Sequence, residues 1–223
     1  FKIMKIGIDL NYVVRDINKQ IIKYYKKDIN KDFDESTIDI HDNDLIKKLP
    51  FPNRKARENF MYIDYPFEIF GCASTISRNL VNSITNWEIN LSNVDENDEY
   101  QVVHFSSNEI ALTIQSTYYF LSKVGSRVRE VYFPKDSKKI WDICDVVITA
   151  NPNIIKSKPN NKISVFIKYD TLNKIPDADL VYDNLEDLLN DNEFIKKINV
   201  PKHQGFVQKL KNKIRKIYKY GFK

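Results

Sequence analysis

The chain has 223 residues, 42% of them hydrophobic, enough for one core or for a core with a small cap. No apolar run approaches 18 residues, which excludes a membrane-spanning helix, and Phe1-Lys2-Ile3-Met4-Lys5 lacks the small-residue cleavage site of a secretory leader. Cys72 and Cys144 lack partnered spacing and His41, His104 and His203 are scattered, so reduced thiols in an intracellular protein are expected, with no zinc site.

The net charge of +5 is an average over two unlike parts. Beyond Glu193 there is no acid and there are ten basic residues, from Lys196 and Lys197 through Arg215 to Lys223. The rest holds 25 basic residues against 30 acidic ones, a net of −5. A mildly acidic body with a strongly basic tail points the tail at something negative.

In chain order, Lys5-Ile6-Gly7-Ile8-Asp9 reads as a short buried strand ending in an acid. Residues 16–27 follow, with Ile17, Ile21, Ile22 and Tyr25 at helical spacing. A strand, a tight turn and a helix open a Rossmann-like unit. Residues 30–65, polar and broken by Pro50 and Pro52, read as loops with a short helix near 44–49. Residues 66–87 read as one or two helices, with Ile76, Leu80, Ile84 and Trp87 sharing a face, and 93–99 as an acidic loop. Alternation then resumes. Strands are expected at 101–105, 129–133, 145–149, 163–167 and 179–182. Helices are expected at 109–124 (ended by Gly125), 135–142 and 184–189. This order predicts an α/β fold with a mostly parallel sheet. The domain reading is a core of residues 1–27 and 100–200, a cap-like, mainly helical insertion at 28–99, and a basic C-terminal extension at 201–223. Within that extension Phe206, Leu210, Ile214 and Ile217 fall on one helical face and lysines line the other.

In an open parallel sheet, ligands bind outside the carboxyl ends of the strands. The residues there are Asp9 and Asn11, Ser106 and Ser107, and Thr149 to Asn151. A lone Asp after a strand is often a turn or cap residue, and Asp9 or Asp16 can fill that role for the first helix. The three clusters together carry more. Ile8-Asp9-Leu10-Asn11-Tyr12-Val13-Val14 resembles the first motif of the haloacid dehalogenase (HAD) superfamily, an apolar strand followed by Asp-x-Asp-x-Thr/Val. Val102-Val103-His104-Phe105-Ser106-Ser107 resembles its second motif, a strand ending in Ser or Thr. Lys138-Lys139 with Asp145-Val146-Val147-Ile148-Thr149-Ala150 is similar to the lysine and fourth-motif region of the 5′(3′)-deoxyribonucleotidase branch.

The resemblance implies a Rossmann-like HAD core. It assigns Asp9 as phosphoryl-attacking nucleophile and metal ligand, Ser106 or Ser107 as phosphoryl binder, and Lys139 or Lys138 as the lysine. It implies Mg²⁺ as the cofactor of an active site. The chain departs from the pattern where it matters. Asn11 replaces the acid/base Asp and has no titratable proton near neutral pH. The paired acids that hold Mg²⁺ fall on Thr149 and Ala150. Asp16 and Asp145 are the nearest substitute acids, Asp145 at the wrong end of its strand. The expectation is therefore a degenerate HAD-like protein without resident cofactor.

The stretches Glu68-Ile69-Phe70-Gly71, Tyr119-Phe120-Leu121-Ser122-Lys123 and Val147-Ile148-Thr149-Ala150-Asn151-Pro152 look like a HAD-like protein family of crAss-like phages. Abundant Ile, Asn, Lys, Asp and Tyr, with only 5 Gly, accord with an AT-rich genome. That resemblance implies a non-catalytic virion component, such as a tail ring or connector. It would be a homo-oligomer or part of a hetero-oligomeric ring with other virion proteins, located in the virion and, during assembly, in the host cytoplasm. The alternatives are a Mg-dependent nucleotide phosphatase using Asp9 and a nucleic-acid-binding accessory protein acting through residues 196–223.

Overall fold

The computed structural model describes residues 3–91, 100–107, 109–169 and 175–199. The basic helix expected at 203–222 lies outside them. Six strands form one parallel sheet: β1 (Met4–Asp9), β4 (Tyr100–Phe105), β5 (Val131–Tyr132), β6 (Val146–Thr149), β7 (Ile163–Ile167) and β8 (Leu180–Tyr182). Their order is β5-β4-β1-β6-β7-β8. The central strands are near-continuous apolar runs because both sheet faces are covered: Ile6, Ile8, Val103, Val146, Val147, Ile148 and Val165 are all buried. Gly7 is required by packing. A Cβ there would come within 2.7 Å of the buried Cys144 Sγ.

Taken in chain order, the sheet strands lie 3-2-1-4-5-6, the doubly wound arrangement. The order reverses between β1 and β6, so the crevice at their carboxyl ends is the topological switch point. Asp9 ends β1 and Thr149 ends β6.

Between β1 and the first helix, α1 (Asn18–Asp28), the chain does more than the expected tight turn. Val14 and Arg15 both donate to the Leu10 carbonyl (3.1 and 2.9 Å), and Tyr12 takes φ of +68°. This wide turn delivers β2 (Arg15–Asp16), which pairs antiparallel with β3 (Ser74–Thr75). Helix α1 buries Ile21, Ile22 and Tyr25 and carries Lys26 and Lys27 in its last turn, where cations favour the helix dipole. Asp16, not Asp9, supports its start, accepting the Asn18 N–H at 3.1 Å.

The insertion is more helical than a Pro-broken polar sequence predicts. After α2 (Leu45–Lys48) comes α3 (Arg54–Asn59), started by Asn53, whose side chain accepts the Ala56 N–H. It runs into wide π turns at Phe60–Asp64 and Phe67–Gly71. The expectation of loops through residue 65 is corrected here: Phe60, Met61, Ile69 and Phe70 are buried, and this wide winding has no apolar period to read beforehand. Ile76 also falls outside the expected helical face, donating instead to the Val14 carbonyl at 2.9 Å. Helix α4 (Leu80–Leu91) buries Leu80, Ile84, Trp87 and Leu91 along one face.

Helix α5 (Ala111–Lys123) follows β4 and ends at Gly125, φ +71°. It lies close on the second π turn: a Cβ on Gly71 would meet the Ser116 carbonyl at 3.2 Å. Lys123 Nζ ties the two by donating to the Gly71 and Ala73 carbonyls (3.1 and 3.0 Å). Short helices α6 (Ile140–Ile143), α7 (Pro152–Lys156) and α8 (Leu185–Leu189) complete the layers. Contacts divide the chain into units at residues 1–190 and 191–223; of the second, residues 191–199 are described and hold α9 (Phe194–Asn199).

Candidate functional site at the switch point

Four of the sequence-selected residues meet in one crevice. Asp9 is buried, and its Oδ2 accepts from Thr149 Oγ1 at 2.7 Å across the β1–β6 seam. Thr149 Oγ1 in turn accepts the Asn151 N–H at 3.0 Å. Asn11 Nδ2 donates to Ser106 Oγ at 3.1 Å, joining the turn after β1 to the end of β4. Of the two serines, Ser106 is the one in the cluster; the Ser107 hydroxyl is buried without a hydrogen-bond partner among the described residues.

A residue not selected from the sequence dominates the crevice. Arg15, fully buried, donates from Nε to Asn11 Oδ1 (2.8 Å) and from Nη1 to Thr117 Oγ1 (2.7 Å) and the Phe70 carbonyl (3.2 Å). Its Nη2 reaches Glu109 Oε1 at 2.5 Å and Ser106 Oγ at 3.5 Å. Thr117 donates to the other Glu109 oxygen at 2.7 Å. The guanidinium also lies over the rings of Phe70 (5.2 Å) and Phe120 (5.5 Å). A fixed cation thus stands among Asn11, Ser106 and Glu109, its planar fork satisfied on every nitrogen. The sequence carried one faint signal, a lone charge pair in the apolar run Val13-Val14-Arg15-Asp16-Ile17.

Burial pushes the Asp9 carboxyl up to about 7, against hydrogen bonds from Thr149 and the Asn11 backbone and the nearby Arg15 charge, which pull it down. On the neighbouring strand, burial drives His104 down to about 4 despite a bond to the Ile8 backbone, and its Nδ1 has no partner among the described residues.

The remaining candidates sit elsewhere. Lys138 and Lys139 are exposed on a short 3-10 turn (Ser137–Lys139), with no described bond to Asp9, Ser106 or Thr149. Asp16 is buried but bonded to the Asn18 N–H, the Tyr169 hydroxyl (3.2 Å) and Lys19 (3.3 Å). Asp145 precedes β6 at the opposite end of the sheet, bonded to the Lys5 N–H (3.2 Å) and Lys162 (2.9 Å). Among the described residues no group of three His, Cys, Asp or Glu side chains is placed to hold a metal. Magnesium asks for several hard oxygen ligands, commonly carboxylates. Around Asp9 stand the Thr149 hydroxyl, the Asn11 amide and the Arg15 guanidinium, and the nearby Glu109 carboxylate is taken up by Arg15 and Thr117, a donor set that does not fit it. Asn43 of the insertion donates to the Ala150 carbonyl at 2.7 Å, joining the insertion to the end of β6.

The six-stranded parallel sheet and the helices that cover it define a Rossmann-like α/β fold. Solved structures similar to this chain bear HAD names. A haloacid dehalogenase-like hydrolase of Burkholderia xenovorans LB400 aligns with TM-score 0.55 at 12% identity, covering 87% of this chain and 99% of its own. The HAD-hydrolase YfnB of Bacillus subtilis, bound to magnesium, aligns with TM-score 0.54 at 10% identity over 84% and 97%. The β-phosphoglucomutase of Clostridium difficile aligns with TM-score 0.51 at 16% identity over 89% and 98%. At these identities the likeness is one of fold. No protein-family model and no curated protein matches the chain.

Proposed function

We propose that this chain is a non-catalytic HAD-fold protein whose former reaction crevice is now a structural knot, and that it serves in assembly. The observation that carries this reading is Arg15: a fully buried guanidinium bonded to Asn11, Ser106, Thr117 and Glu109 where a phosphatase needs an open, metal-balanced pocket. The loss of acids at Thr149 and Ala150 supports it. With the resemblance to crAss-like phage proteins, the role is a virion component such as a tail ring or connector. Its partners are other virion proteins or further copies of itself, met in the host cytoplasm during assembly. The exposed apolar side chains Phe67, Leu112, Tyr118 and Tyr119 offer contact surface for them.

The second reading, a Mg-dependent nucleotide phosphatase of 5′-nucleotidase type, draws on one observation: Asp9 and Ser106 do share the switch-point crevice. One assay separates the two. Hydrolysis of a generic phosphate monoester and of deoxynucleoside monophosphates is measured with and without Mg²⁺, for the natural protein and Asp9→Asn. No turnover above the variant is expected. Metal-dependent turnover lost in Asp9→Asn would establish the phosphatase instead.

A further inference from the structure

Beside the Arg15 knot lies a cavity of about 940 Å³ that the Asp9 cluster does not line. Its apolar walls are Ile46, Met61 and Tyr62 from the insertion and Ile110, Ile114 and Phe133 from the loop after β4, α5 and the loop after β5. Glu109 is the one residue common to cavity and knot, and its carboxylate is taken up by Arg15 and Thr117.

The charge at the walls is unbalanced. Lys47, Arg54, Arg57 and Lys135 line the cavity together with Glu58 and Glu109. Lys47 is paired with Asp44 (2.6 Å), Arg54 with Glu58 (2.6 Å), and Glu109 with Arg15. That leaves Arg57 on the insertion side and Lys135 on the core side with no ion pair among the described residues. A concave, mostly apolar cavity of this size, with a few convergent polar groups, has the character of a small-molecule site. Tyr62, stacked on Phe70 at 6.1 Å, and Phe133, edge-on to Tyr118 at 5.6 Å, bring aromatic rings to the wall, and a guanidinium binds carboxylate, phosphate or sulfonate through a planar fork.

We propose that this cavity binds a small organic anion with a flat aromatic body, its charged group held by Arg57 and Lys135 and its ring lodged between Tyr62 and Phe133. The cavity adjoins the Asp9 crevice through Glu109, but Arg57, Lys135, Tyr62 and Phe133 take no part in the bonds there, so the binding stands whether or not the chain hydrolyses phosphates.

The test uses 1-anilinonaphthalene-8-sulfonate, an aromatic anion without a phosphoryl group, in fluorescence titration and calorimetry on the full chain. One saturable site per chain is expected, weakened at least about tenfold in Arg57→Ala/Lys135→Ala with unchanged melting temperature. Ile114→Trp, which fills the cavity and keeps both charges, is expected to weaken it as well. Asp9→Asn should bind as the natural protein does. Unsaturable binding, or affinity indifferent to both the charge and the filling variants, would overturn the site. So would probe binding that falls as the protein is concentrated, because the cavity would then be filled by a second copy of the chain.

Discussion

Arg15 decides what the crevice is. A guanidinium withdrawn from water loses several kcal/mol of solvation and is tolerated only with full pairing. Here Glu109, Thr117, Asn11, Ser106 and the Phe70 carbonyl supply the pairing, and two aromatic rings supply the faces. Removing one partner leaves the other charge buried alone. Arg15→Met is therefore expected to destabilise the fold by about 3–5 kcal/mol in urea denaturation. Adding Glu109→Leu should recover part of that loss, since no carboxylate is then stranded. A double-mutant cycle with no coupling between the two would show that the pair does not hold the crevice as argued.

At the scale of elements, β1 and β4 carry two buried titratable groups, Asp9 paired in register with Phe105 and His104 with Ile8, and the two have opposite pH consequences. His104 is neutral in the fold with its value lowered from 6.5 to about 4, so below 6.5 the unfolded chain takes up a proton that the folded chain refuses. Its contribution is fully present above 6.5 and is lost as pH falls toward 4. Asp9 has its value raised from 3.8 to about 7, so between these values the folded chain holds a proton that the unfolded chain has released. Its stabilisation is present below 3.8 and is lost as pH rises through 7. Each slope is worth about 3 kcal/mol, and over pH 4–6.5 they oppose each other. In the natural protein the Asp9 trend is expected to offset part of the His104 trend. Asp9→Asn should expose the His104 slope, with stability rising by about 3 kcal/mol from pH 4 to 6.5. A chemical-denaturation series across that range reads it directly, and an unchanged profile in the variant would contradict the account.

For the molecule as a whole, the insertion is bound to the core at several points around the switch point: Arg15 to the Phe70 carbonyl, Lys123 to the Gly71 and Ala73 carbonyls, and Asn43 to the Ala150 carbonyl. The basic run past Glu193 is the part whose sequence points outward. Deleting residues 203–223 is expected to leave the melting transition of the remainder in place and to abolish partner binding. If the lost partner is nucleic acid, binding by the full chain should fall steeply with salt. Unfolding of the shortened chain would instead make the tail part of the fold.

Much of the architecture was legible in the sequence for a physical reason. Buried parallel strands are short apolar runs and surface helices repeat near 3.6 residues, so β1, β4, β6, β7, α1, α4 and α5 announce themselves locally. Asp9, Asn11, Ser106 and Thr149 were legible as candidates because strand ends carry ligands in this fold class. The π-wound segment of the insertion was not, since its winding follows no apolar period and is held by burial against α5. Nor was the use of the crevice. Arg15 in the sequence is one basic residue among 35. Only the folded chain brings Glu109, Thr117 and Phe70 around it from 94, 102 and 55 residues away, and that pairing, not local spacing, fixes which charges can be buried.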